Sequence, residues 1–136
     1  MKPPCPFCSP ADRDVVLRNG LCYARFDRYP VSTGHLLIIP FRHEPSFFLM
    51  TGEEQAAALD LISQVRPRLD SEFHPDGYNV GINIGEAAGQ TVAHAHIHVI
   101  PLYAGDVPDP RGGVRFIIPD KARYWQIAAG NKPTST

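Results

Sequence analysis

Apolar positions along the chain recur with two different periods. "DVVLRNGLCYARFD" holds two short apolar runs split by Asn19-Gly20, the pattern of a β-hairpin. "HLLIIP" is almost wholly apolar and ends at Pro40, which predicts a central strand. Thr51-Gly52-Glu53-Glu54 matches a capping box, and Ala58, Leu61, Ile62, Val65 and Leu69 then recur at helical spacing. Pro67 lacks an amide hydrogen and crowds the preceding turn, so a kink or an early end is expected there. "HPDG" reads as a turn. In "YNVGINI" the side chains of Tyr78, Val80, Ile82 and Ile84 alternate with Asn79, Gly81 and Asn83, and "TVAHAHIHVIP" alternates again, so both are predicted strands. "VRFIIPDKARYWQIA" predicts a last short strand and a short helix, with a loose tail after Gly130. The sum is an α+β chain: an antiparallel sheet of about five strands, one main helix and a short C-terminal element.

The 136 residues suit a single domain over 1–136, with a Cys-containing segment at 1–13 and an extension at 104–136. A net charge of −1 lacks the basic excess of a general nucleic-acid binder. "MKPPCPFCSPADRD" has no apolar run of a signal peptide, and no stretch approaches a membrane span. The three cysteines, Cys5, Cys8 and Cys22, are an odd count, which argues against a disulfide framework. A cytoplasmic protein without membrane or nucleic-acid partners is expected.

Three of the six histidines, His94, His96 and His98, fall at every second position. On a strand they share one face, while Ala95, Ile97 and Val99 share the other and face the core. Three readings fit. The polar face meets solvent; or two or three imidazoles bind a metal; or a neutral imidazole attacks phosphorus while a flanking one donates to the phosphate oxygens. The last explains why each position needs its own job.

His94-Ala95-His96-Ile97-His98-Val99-Ile100, preceded by Gly89-Gln90-Thr91-Val92 and Asn83, resembles the histidine-triad (HIT) superfamily of nucleotide hydrolases and transferases. Asp27 and "GHLLIIPFRH" resemble that family's nucleotide-binding half. The resemblance implies a HIT-like fold and a homodimer formed by pairing sheets. It implies that His96 is the nucleophile that takes the nucleoside monophosphate, with His98 on the phosphate oxygens. Asn83, Gln90 and Thr91 would line the phosphate or leaving-group site, and Asp27 would accept from ribose hydroxyls. Asp27 also reads as an ordinary turn residue.

Cys5-Pro6-Phe7-Cys8 suits a redox pair, a zinc half-site or two incidental thiols. It precedes a hairpin instead of joining a strand to a helix, which favours zinc. The zinc-bearing branch of the HIT superfamily implies two further ligands, His43 in "IIPFRH" and His94, and a closed structural zinc. His35 is expected to be structural, His74 a surface turn residue and Cys22 a core residue. Arg111, Arg115, Lys121 and Arg123 form either a solvated basic face or a dock for a polyphosphate. The resemblance is to diadenosine-tetraphosphate-hydrolase-like bacterial proteins, which implies cleavage at the α-phosphate of a dinucleoside polyphosphate or nucleotide conjugate. The alternatives are a nucleoside phosphoramidase, a nucleotide-binding regulatory module with little turnover, and a zinc hydrolase built on the three histidines.

Overall fold

A computed structural model of the chain describes residues 4–130. The tail expected to be loose lies beyond Gly130, outside the described residues. Contacts group the chain into two compact units, Met1–Leu102 and Tyr103–Thr136.

The first unit is a five-stranded antiparallel sheet. Its strands are β1 (Leu17–Arg18), β2 (Cys22–Phe26), β3 (Leu36–Pro40), β4 (Gly77–Ile82) and β5 (Ile97–Leu102), in the order β1-β2-β3-β5-β4. The Asn19-Gly20 turn joins β1 to β2 as predicted. Its agent is the Asn19 side chain, whose Oδ1 accepts the amides of Leu21 and Cys22 at 3.1 and 2.9 Å while Nδ2 donates to Ala57 O. The central strand β3 is buried along its whole length, so its run needs no polar alternation.

Helix α1 (Gly52–Phe73) starts on the predicted capping box. Thr51 Oγ1 accepts the Glu54 amide at 3.0 Å, and Glu54 Oε1 accepts the Thr51 amide at 2.9 Å. Pro67 does not end the helix. It sits on the exposed side, as does Ser63, whose carbonyl loses its helical donor there, so water can take the donor's place. His74 closes the helix in the left-handed conformation at φ 53° and is exposed, in keeping with a surface turn.

The two sheet faces are covered differently. Ala58, Leu61, Val65 and Leu69 of α1 pack on Cys22, Ala24, Leu36, Ile38, Ile97 and Val99. The other face holds Tyr23, Leu37 and Ile39, and Phe7 of the N-terminal segment covers them. Tyr23 Oη donates to Phe7 O at 2.6 Å, which pins that segment down. Cys22 is a core residue, and burial pushes its thiol up to about 11.

Two strand expectations are corrected. The ladder of the histidine segment begins only at Ile97, not in "TVAHAH". Ahead of it, Ala95 N–H bonds Glu44 O at 2.7 Å, so a loop takes the place of a partner strand. The "VRFII" segment is a 3-10 helix, Gly113–Ile117, instead of a strand. Its amides find local acceptors, with Arg115 N on Gly112 O and Ile118 N on Arg115 O, and need no partner strand. Two short helices follow, α2 (Pro119–Ala122) and α3 (Tyr124–Ala128). Within this second unit Arg111, Arg115 and Arg123 lie over Trp125, Tyr124 and Phe116 at 4.1, 4.9 and 5.2 Å.

Leu61 is fully buried at the centre of the helix–sheet contact. Leu61→Ala is expected to lower unfolding free energy by about 2–5 kcal/mol, read by urea denaturation. A loss under about 1 kcal/mol would contradict this packing.

Candidate active site and metal cluster

Asp27 follows the last residue of β2, and its amide donates to His35 O at 2.9 Å. The loop between them turns back through Gly34 at φ 90°, where a Cβ would stand 2.8 Å from Phe73 Cδ2. His35 thereby enters β3 beside β5. In the register of β3 and β5, Leu37 faces His98. A cleft of about 590 Å³ opens on the sheet face away from α1. Asp27, Asn83, Thr91, His96 and His98 all line it.

Gln90 does not line the cleft. Its Nε2 donates to Pro45 O at 2.7 Å and Val92 O at 3.0 Å, and its Oε1 accepts the Gly85 amide at 2.8 Å. It holds the loop that presents Thr91. His94 stands behind the cleft, fully buried.

The histidines are not a solvent-facing row. His94 is 0% and His96 8% exposed, with Phe7 against both rings. Hydrogen bonds set each ring's tautomer. His94 Nε2–H donates to Pro40 O at 2.7 Å, which leaves Nδ1 bare. His96 Nδ1–H donates to His94 O at 2.8 Å, which leaves Nε2 bare. The Val31 amide donates to His35 Nδ1 at 3.1 Å, so the proton of neutral His35 is on Nε2. That proton faces His98 Nδ1 at 2.9 Å, so neutral His98 carries its own on Nε2. The outcome is an acceptor on His96 and a donor on His98.

His35 was expected to be only structural. It is buried, and its bond to His98 makes it part of the site. The signal available in sequence was its place eight residues after Asp27, and nothing there showed which ring it would meet. Desolvation holds both His35 and His98 below the ordinary histidine range, His98 further through His96 and His35, while Asp27 opposes the shift in both. Asp27 Oδ2 lies 3.5 Å from His35 Nε2, and Oδ1 accepts the Tyr29 amide at 2.8 Å.

Behind the cleft, Cys5, Cys8, His43 and His94 converge, with their donor atoms all within 4.8 Å of one another. Cys5 Sγ and Cys8 Sγ lie 3.4 and 3.6 Å from His94 Nδ1. His43 Nδ1 lies 3.1 Å from Cys8 Sγ and 3.2 Å from His94 Nδ1. A tetrahedral zinc with Zn–S of about 2.3 Å and Zn–N of about 2.0–2.1 Å separates its donors by about 3.3–3.8 Å. The set fits a metal ion in number, chemistry and spacing. Desolvation, then Cys5, raises the thiol of Cys8, a strain that a cation between them relieves. The three triad histidines form no such cluster among the described residues.

The HIT domain family model matches residues 9–105. The chain belongs to the HIT domain family. This HIT chain is 36% identical over 93 residues to the AP-4-A phosphorylase of Mycobacterium tuberculosis, a match covering 68% of it and 48% of the relative. It thus spans about half the length of that relative. Among solved structures it is similar to a hypothetical histidine triad nucleotide-binding protein of Sulfolobus tokodaii, with 34% identity and a TM-score of 0.69, covering 77% and 73% of the two chains. A zinc-bound histidine triad family protein of Mycobacterium smegmatis matches with 28% identity and a TM-score of 0.65, covering 90% of each chain. Both likenesses bear out the predicted α+β sheet with one main helix. No helix among the described residues is long and apolar enough to cross a membrane.

The lowered pKa of His35 has a consequence for stability. The unfolded chain takes up this proton near pH 6.5, and the folded chain only at lower pH. Stability is therefore full above about pH 6.5 and falls as the pH drops through the interval below it. His35→Gln keeps a donor but cannot titrate. Its unfolding free energy, measured by denaturant titration from pH 7.5 to 5, is expected to fall less steeply than that of the wild type. Equal slopes would remove His35 from the account.

Proposed function

We propose that this HIT chain cleaves nucleotide conjugates at the α-phosphate, with dinucleoside polyphosphates as the substrate class, through a nucleotidyl group carried on His96. The observation that carries this reading is the bare Nε2 of His96 at the cleft. Its other nitrogen is committed to His94 O at 2.8 Å, so the ring presents a lone pair in a fixed direction. The name of the mycobacterial phosphorylase supports the substrate class.

In the first displacement His96 Nε2 bonds to phosphorus and the P–O bond to the polyphosphate breaks, the leaving oxygen keeping the electron pair. In the second, an acceptor oxygen bonds to phosphorus and the P–N bond breaks, returning the pair to Nε2. Water as acceptor gives a nucleoside monophosphate, and inorganic phosphate gives a nucleoside diphosphate. His98 Nε2–H donates to a non-bridging oxygen as charge builds on it. Asn83 and Thr91 serve the phosphate and leaving-group side, Asp27 accepts from the ribose diol, and Gln90 acts by holding their loop. Zinc on Cys5, Cys8, His43 and His94 would be structural, because four protein ligands leave no position for substrate. A homodimer formed by pairing sheets would use the free edge of β4, where Val80 is 46% exposed.

Elemental analysis is expected to find about one zinc per chain, in line with four converging ligands. Cys8→Ser should lose it and lower Tm, while His98→Ala should keep it. Zinc retained in the first variant and lost in the second would reverse the assignment.

Two in-line displacements give net retention at a chiral thiophosphate, whereas direct attack by water inverts it. Retention is expected, together with an acid-labile adduct mapped to His96 after rapid quench. Inversion sinks the covalent route. His96→Asn should lower kcat by about 10⁴- to 10⁶-fold, and His98→Ala by about 10²- to 10³-fold.

A further inference from the structure

The proposed mechanism leaves three charged residues of the cleft lining, Asp14, Arg25 and Arg28, without a task. Of these, Arg25 and Asp14 also line an adjoining hollow. Each is partly exposed. Neither has an ion-pair partner within 4.0 Å among the described residues, and they do not pair with each other. Opposite charges that share a cleft and stay apart leave room for a ligand with both donors and acceptors.

The place of Arg25 in the sheet says which part of a nucleotide reaches it, and Asp14 lies in the 3-10 turn Asp12–Asp14 ahead of β1. Arg25 shares the cleft face of β2 with Tyr23, and Asp27 continues that alternation. Arg25 is paired with Leu37, and Leu37 with His98, so Leu37 lies between the phosphate end and Arg25. Two strand spacings separate their backbones, about 10 Å. With phosphate on His98 and ribose on Asp27, the nucleobase extends toward Arg25. Phe7, Pro10 and Leu37 supply apolar surface there. Tyr23, two residues before Arg25 on the same face of β2, is fixed by its hydroxyl's bond to Phe7 O at 2.6 Å.

We propose that this end of the cleft reads the base and that Asp14 and Arg25 select guanine. Guanine offers O6 and N7 as acceptors to a guanidinium and N1–H and N2–H₂ as donors to a carboxylate. Adenine turns the N1 lone pair toward the carboxylate and an amino group toward the arginine. The inference rests on the reading of Asp27 as the ribose residue, and base selectivity is measurable without turnover.

Calorimetry on the zinc-loaded protein with GMP and AMP tests it, alongside kcat/KM for diguanosine and diadenosine tetraphosphate. GMP is expected to bind about 5- to 100-fold more tightly, the scale of one good bidentate pair. Inosine monophosphate, which lacks N2–H₂, should lose part of that advantage, and Asp14→Ala, which deletes the acceptor, should remove the difference between GMP and inosine monophosphate. The 7-deazaguanine nucleotide lacks N7, and Arg25→Ala should remove its difference from GMP. GMP and AMP binding within twofold in the wild-type protein overturns the proposal, as does discrimination that survives both substitutions. A GMP preference without any adduct on His96 keeps the base reading and removes the covalent mechanism. Turnover with equal affinities does the reverse.

Discussion

The hydrogen bond from His94 Nε2 to Pro40 O, 2.7 Å and buried, is the constraint on which both halves of the site depend. It turns the Nδ1 lone pair of His94 toward the two cysteines and His43. It also fixes the segment whose carbonyl, His94 O, accepts the hydrogen bond from His96 Nδ1–H. The Cys5–Cys8–His43–His94 cluster and the bare Nε2 of His96 are therefore set by one ring. Leaving such a buried group without its partner costs about 1–3 kcal/mol, so the geometry is enforced energetically as well as sterically.

The sheet separates stability from chemistry. Its α1 face is a uniform apolar contact in which Leu61, Val65 and Leu69 fill the space over Leu36 and Ile38. Its other face is half core and half cleft. Phe7 is the hinge of that division, because it covers Tyr23 and Ile39 and also meets the edges of His94 and His96. The cysteines on either side of Phe7 join the cluster with His94. Metal binding by that cluster would then hold down the segment that roofs the site, which couples a structural ion to the shape of the cleft.

The histidines work as a bonded chain. Val31, His35 and His98 pass donor and acceptor roles along in one direction, and desolvation keeps His35 and His98 neutral so that the roles persist. A protonated His35 would present a donor to the Val31 amide. Burial at the base of the cleft is thus a condition for the order of protons along the chain, and not merely for packing.

The sequence by itself determined strands β1 to β4, the helix start and the residue types gathered at the cleft. These follow from local rules: alternation around Tyr78, spacing through Leu69, and the Thr51–Glu54 box, each legible within a few residues. The triad pattern likewise pointed to the family, and the Cys-x-x-Cys pair to a cluster that could hold a metal ion. Tertiary structure decided what local rules cannot contain. It ended the ladder at Ile97 because Glu44 occupies the next partner position. It let α1 pass Pro67 because that side faces water. It folded "VRFII" into a 3-10 turn because local acceptors sufficed. It gave Gln90 a loop to hold, and it made His35 the partner of His98 across 63 positions. Tautomers, partners and burial depend on which groups meet at 3 Å, and residues far apart in the chain meet only after the sheet has formed.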